Sequence, residues 1–345
     1  MATIGILLSV LLVAYIVRLI YSKSCLKNLD IQIKISAPTA VEGDILMLTE
    51  ILTNDKWLPL PWVSVKFETS KALLFTSGTA ASDAYYRNDL FHILMHQKIT
   101  RRLPFTCTKR GRYTFHGLTL TTWDILMSQK HIQKLDAVTQ LTVYPSTLPM
   151  QEIDDICTRV HGQLKSSLPI NTDPFAFKGI REYAATDSIK AINFKASARG
   201  LGLMVNQWDF VGTRQVHILL DTKRQTLWYN QEKEERAIKI IASVSEKMTG
   251  LGVPTSFTHN AANIAEGYGA IHHTLVLEAL ADIEFSIDAT PLSIPDDTSP
   301  EYWLITPDYT KEMAETYQKL KASGIKVVWI MPQPATEAIE DIIYV

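Results

Sequence analysis

Asp221, Thr306 and Asp308 are oxygen-bearing side chains at the ends of two short apolar runs, Val216 to Asp221 and Tyr302 to Thr306, each predicted as a strand. In an open α/β sheet such groups meet at the carboxyl edge, where these folds hold their ligands. A Mg²⁺ site of the pattern D-x-S-x-S uses one aspartate and two hydroxyls there, because a hard cation takes hard oxygens. The run here is Asp221-Thr222-Lys223-Arg224-Gln225-Thr226, so Lys223 stands where the first serine belongs and its ammonium competes with a cation for Asp221. Asp221, Thr306 and Asp308 are therefore degenerate metal-site positions. No metal or cofactor is expected, and Asp221 is expected to form a structural pair with Lys223. A metal-dependent or hydrolytic enzyme using this edge stands as the alternative.

Other reactive side chains lack the company that chemistry needs. His92 and His96 are four apart, but Phe91, Ile93, Met95 and Ile99 alternate with His92, Leu94, His96 and Lys98. That alternation predicts two histidines on the wet face of a strand. His272-His273 has no cysteine or carboxylate at ligand spacing. Cys25, Cys107 and Cys157 form neither a CxxC nor an even-numbered framework, and no catalytic residue is assigned. Gly200-Leu201-Gly202 and Gly250-Leu251-Gly252 lack the further glycine or lysine of a phosphate loop and read as helix stops.

The most unusual stretch is Phe175 to Arg199, FAFKGIREYAATDSIKAINFKASAR. Asp187 is a candidate N-cap for a helix with Ile189, Ile192 and Ala196 on one face, and Lys195 and Arg199 lie four apart on one side of it. Arg181, Glu182 and Tyr183 precede the cap in an extended segment. Together Arg181, Glu182, Tyr183, Asp187, Lys195 and Arg199 are expected to form an ion network locking two domains together. An anion or phosphopeptide pocket built from Arg181, Lys195 and Arg199 is the sharper alternative.

Four segments must carry these groups. Residues 1–24 hold the apolar run Ile4 to Tyr21, about the ~20 residues that cross a ~30 Å hydrocarbon core, and are expected to be an uncleaved anchor. Arg18, Lys23 and Lys27 lie toward its carboxyl side with no acid before residue 30, which places the rest of the chain in the cytoplasm, on a single-pass protein of the inner (cytoplasmic) membrane. Residues 25–146 show the period-two alternation of an immunoglobulin-like β-sandwich. Residues 147–213 read as a connector with one short helix. Residues 214–345 alternate strands and helices, the pattern of a doubly wound, mainly parallel sheet.

The stretch from Phe177 to Arg199 resembles the signature of the DUF58 family, roughly F-x-G-x-R-E-Y, Gly-Asp, then R-x-I-x-W-K-A-S-A-R. The matching positions are Phe177, Gly179, Arg181, Glu182, Tyr183, Asp187, Ile192, Lys195, Ala196, Ser197, Ala198 and Arg199; Thr186, Lys190 and Phe194 depart from the family's glycine, arginine and tryptophan. Lys109-Arg110-Gly111-Arg112-Tyr113 is similar to the family's R-G-x-Y strand entry. The resemblance implies a membrane-anchored start, a β-rich middle and a carboxyl-terminal domain similar to von Willebrand factor A. It further implies a MoxR-type AAA+ ATPase as partner, and a non-enzymatic adaptor role in the assembly or maturation of other proteins, the client being unidentified.

Composition agrees with packed domains and argues against bulk nucleic-acid binding. The 345 residues carry 34 basic and 36 acidic side chains, a net charge of −2. The charge is uneven: Lys98 to Lys134 holds eight basic residues against one acid, while Ala281 to Val345 holds twelve acids against four lysines. Two readings stay open, faces that meet each other or solvent, and a basic sandwich facing anionic lipid with an acidic end toward a cytosolic partner.

Overall fold

The computed structural model describes residues 2–75, 86–124, 127, 129–135, 139–166, 177–182, 197, 202–208, 215–225, 227, 229–294, 300–332 and 341–345. The chain divides into two compact units, Met1–Ser146 with Leu277–Asp282, and Thr147–Val276 with Ile283–Val345.

The first unit opens with helix α1 (Ala2–Ser24), long and apolar enough to cross a membrane or to act as a signal sequence. Its side chains from Ile4 to Leu12 are exposed, as a helix apolar on all sides requires when nothing in the fold covers it. The all-β sandwich expected after it is present. One sheet runs β1 (Leu29–Ile35), β3 (Ile45–Asn54), β7 (Gln97–Cys107), β5 (Leu73–Phe75). The other runs β2 (Thr39–Val41), β10 (Thr139–Tyr144), β8 (Gly111–Trp123), β4 (Leu60–Glu68), β6 (Tyr86–Ile93), with β9 (Lys130–Leu135) on β8. Pairing is antiparallel except between β2 and β10. Alternation sends Leu48, Leu52, Val63, Val65, Phe67 and Phe105 inward to one core. The turn Glu42 to Asp44, expected from its composition, has Gly43 at φ +100°, where a Cβ is disfavoured.

One end of this sandwich is built around the end of α1. Tyr21 and Cys25 belong to the sandwich core, and the Tyr21 hydroxyl donates to the carbonyl of Pro59 at 2.8 Å. The Lys56 ammonium donates to the carbonyls of Cys25 and Lys27, both at 2.6 Å. These bonds fix the last turn of the helix and the chain just beyond it to the loop 55–59.

In the second unit, β13 (Val216–Leu220), β14 (Thr255–His259), β16 (Glu301–Ile305), β17 (Val327–Met331) and β18 (Ile342–Tyr344) pair in parallel. β15 (Ala262–Gly267) adds an antiparallel edge, giving the order β15-β14-β13-β16-β17-β18. Every residue of β13, β16 and β17 is buried, as in a sheet covered on both faces. The helices of this unit are α2 (Met150–Ser166), α3 (Gln231–Gly250) and α5 (Lys311–Ala322), with the first part of α4 (Gly269–Asp282), whose last residues from Leu277 group with the first unit. Asn230 caps α3 by accepting from the Glu232 amide, and Thr310 caps α5 by accepting from Met313.

The connector differs from expectation in one respect: its helix, α2, is 17 residues long. It packs on the sheet unit through Ile153, Ile156, Val160 and Leu164, and ion pairs Arg236–Glu152 and Lys247–Asp154 hold it to α3. Beyond it, β11 (Phe177–Glu182) pairs antiparallel with β12 (Met204–Trp208).

Candidate functional site

β13 lies between β14 and β16, so the strand order reverses at its carboxyl end, the point where open α/β sheets form a ligand crevice. Asp221 and Thr306 do come together there, for the Asp221 amide donates to the carbonyl of Ile305 at 3.3 Å. Both are buried, at 4% and 1% exposure.

Their polar atoms are committed to the fold. Asp221 Oδ1 accepts from the side-chain amide of Asn260 and from the backbone amide of Lys223, each at 3.0 Å. Burial raises the Asp221 carboxyl above the usual carboxylate range, and these two bonds oppose the rise. Asn260 Oδ1 in turn accepts from the Thr222 amide at 2.6 Å and from its hydroxyl at 3.0 Å. The Thr306 hydroxyl accepts from the Trp329 indole N–H at 2.8 Å.

The chain after α4 covers this edge. The Ser286 amide donates to Thr222 O at 3.1 Å, the Arg224 amide donates to Ser286 O at 2.9 Å, and Asn260 Nδ2 donates to Thr290 O at 2.6 Å. Leu292 and Ile294 then join the core that includes Met313 and Tyr317 of α5. The segment that follows α4 is thus tied by hydrogen bonds to the edge where the sheet topology would open a crevice.

Two expectations are corrected here. The Lys223 ammonium lies 3.5 Å from Glu312, and only its backbone N–H serves Asp221; the carboxylate is buried among amides while the longer side chain reaches out to an exposed partner. Asp308, also exposed, meets Lys233 at 3.5 Å and stays apart from Asp221's hydrogen bonds. Among the described residues no group of three or more His, Cys, Asp and Glu is placed to hold a metal.

The histidine pair is also corrected. His92 is on β6, but His96 sits in the turn to β7 at φ +46°, with Nδ1 3.0 Å from Asp55, because the chain crosses from one sheet to the other between them. The basic run Lys98 to Lys134 does not form one face. Lys98 and Lys130 start β7 and β9 at the α1 end, Lys109 and Arg110 turn at the opposite end, and Arg101 points toward buried Asp89 at 3.1 Å.

Of the signature, the backbone of Arg181 and Glu182 is in β11, opposite Val205 and Met204. The Ser197 hydroxyl accepts from the Met204 amide at 2.8 Å. Tyr183, Asp187, Lys195, Arg199 and the side chains of Arg181 and Glu182 lie outside the described residues.

A second polar cluster, in the sandwich core, escaped the sequence reading. Glu50 of β3 is fully buried and its carboxyl is pushed up to about 8, first by burial and then by the Asp89 carboxylate, with Arg101 and Arg87 acting the other way. Arg87 Nε donates to Asp89 at 2.6 Å, and its guanidinium lies 4.8 Å from the Phe75 ring centre. The signal for it was Glu50 at an inward position between Leu48 and Leu52.

The sequence matches no protein-family model and no curated protein. Solved structures similar in part include the CARDB domain of a Pyrococcus furiosus protein in complex with di-metal ions, with 13% identity over 34% of this chain and 94% of that one, at a TM-score of 0.23. A type I cohesin of Pseudobacteroides cellulosolvens gives 13% identity over 35% and 95%, at 0.25. A type II cohesin from the cellulosome of Acetivibrio cellulolyticus gives 9% over 33% and 95%, at 0.26.

Proposed function

We propose that the chain is a membrane-anchored, non-enzymatic adaptor. In this reading α1 stays in the inner membrane, the sandwich and the α/β unit face the cytoplasm, and the α/β unit is a von Willebrand factor A-like docking module for a MoxR-type AAA+ ATPase. The ATPase partner and the role in assembly or maturation of other proteins rest on the DUF58 resemblance of Phe177 to Arg199, an argument by analogy.

The observation that carries the non-enzymatic part is the state of the sheet's carboxyl edge. Asp221 Oδ1 accepts from the side chain of Asn260 and the backbone of Lys223, Asn260 in turn bonds Thr222 and the Thr290 carbonyl, the Thr306 hydroxyl accepts from Trp329, and the segment through Ser286 and Thr290 is hydrogen-bonded to Thr222, Arg224 and Asn260. A reaction there would require these bonds to break first, each leaving a buried group unpaired at ~1–3 kcal/mol. The deciding experiment purifies the full chain with its anchor from native membranes and identifies what comes with it. An AAA+ ATPase is expected; its consistent absence, with other proteins recovered, overturns the partner assignment.

A further inference from the structure

The end of the sandwich that holds α1 also gathers loops of both sheets. Register places Leu29, Asn54 and Gln97 side by side, pairs Leu60 with Ile93, and sets Thr122 and Trp123 next to Val63 and Lys130. The loops 55–59 and 94–96, with residues 124, 127 and 129, therefore share this end. The first two are braced together: Asn54 Nδ2 donates to Leu58 O at 3.0 Å and to Leu94 O at 2.7 Å, and the His96 amide donates to Lys56 O at 3.2 Å.

These braced loops expose large apolar side chains to solvent. Trp57 is 79% exposed with its ring edge-on to His96, and Leu94 and Met95 are about half exposed. Lys27, whose carbonyl accepts from Lys56 of the first loop, is exposed, and so is Lys23 in the last turn of α1. Basic side chains around an exposed tryptophan are the composition that settles at a bilayer surface.

Depth decides the occupant. The apolar run Ile4 to Tyr21 has 18 residues, roughly 27 Å of helix at 1.5 Å each, barely the ~30 Å hydrocarbon thickness. None of it can be spared, yet Val17 and Tyr21, in its last turns, are already packed against the sandwich core, and Pro59 reaches back to the Tyr21 hydroxyl. The parts of the sandwich that touch Val17 and Tyr21 must then lie at the depth of those residues.

We propose that the loops bearing Trp57, Leu94 and Met95 insert into the headgroup–acyl boundary of the bilayer that α1 crosses, seating the sandwich directly on the membrane. This rests on α1 spanning the membrane. The test uses the full chain in phosphatidylcholine–phosphatidylglycerol vesicles, in a Cys157→Ser background that leaves the two buried cysteines, with an environment-sensitive dye on Met95→Cys or, at the opposite end of β3, on exposed Ile45→Cys. The expected result is a blue shift and quenching by lipids spin-labelled high on the acyl chain for the dye at 95, and neither for the dye at 45. Adding Trp57→Glu and Leu94→Glu should return the dye at 95 to the spectrum of the dye at 45. If the protein resists alkaline carbonate extraction while neither dye is quenched, docking is overturned and the span stands. If carbonate releases the protein, the spanning reading fails and docking with it.

Discussion

Two buried carboxyls, Asp221 at the edge of the α/β sheet and Glu50 inside the sandwich, meet the same cost of burial in different ways. Asp221 receives an amide from Asn260 and another from the backbone of Lys223, so hydrogen bonds to the charged form offset much of the desolvation. Glu50 faces a second carboxylate, Asp89, and the two arginines nearby engage Asp89. Burial first, and then the like charge of Asp89, favour the protonated form, which is why the Glu50 carboxyl is pushed up to about 8. A carboxylate at a strand end, where ligands usually bind, is thus the settled one, and one in the middle of a structural sheet is the sensitive one.

The largest effect expected from this contrast is a dependence of stability on pH. Glu50 holds its proton to about 8 when folded against an ordinary value of 4.5, so between these pH values the folded chain binds the extra proton. The stabilisation is complete below 4.5 and is lost as pH rises through 8, so the chain is more stable at pH 5 than at pH 8.5. Urea unfolding of the full chain in detergent micelles at pH 5 and pH 8.5 measures it. Glu50→Gln should flatten the difference, and an equal slope in the variant would remove Glu50 as the cause.

Arg87→Ala comes next, at about 3–5 kcal/mol near neutral pH, because it strips a buried pair from Asp89 and its cover from Phe75. The same unfolding measurement reads it; a loss under about 1 kcal/mol would mean the pair behaves as a surface one. Asn260→Ala should cost about 1–3 kcal/mol by leaving Asp221 and the Thr222 amide short of partners. The smallest effect is none: Mg²⁺ or Mn²⁺ should leave the melting temperature unchanged, whereas a rise that Asp221→Asn abolishes would reopen the metal reading.

How much of this the sequence disclosed follows from the range of the interactions involved. Helix α5 was legible to the residue, Lys311 to Ala322, because the stop at Gly324 and the apolar spacing are local signals. In α2 the apolar residues Ile153, Ile156, Val160 and Leu164 do recur at spacings of three and four, but the polar residues between them hid the rhythm. β15 was invisible for another reason: an edge strand exposed on most positions has no alternation to show. Asp221 could be found from its strand end alone. Its partner Asn260 lies 39 residues on and is delivered only by the parallel register of β13 with β14. Glu50 could be read as inward-facing, whereas Asp89 belongs to the opposite sheet and no local pattern pairs them.

Because α1 runs without a break into side chains that the sandwich encloses, its helical phase is also a setting of orientation. One residue inserted between Arg18 and Tyr21 would turn the sandwich about 100° around the helix axis and raise it about 1.5 Å. A flexible stalk would absorb such an insertion; here Tyr21 and Cys25 transmit it, so the direction in which the sandwich faces is dialled by the register of the last turns of α1.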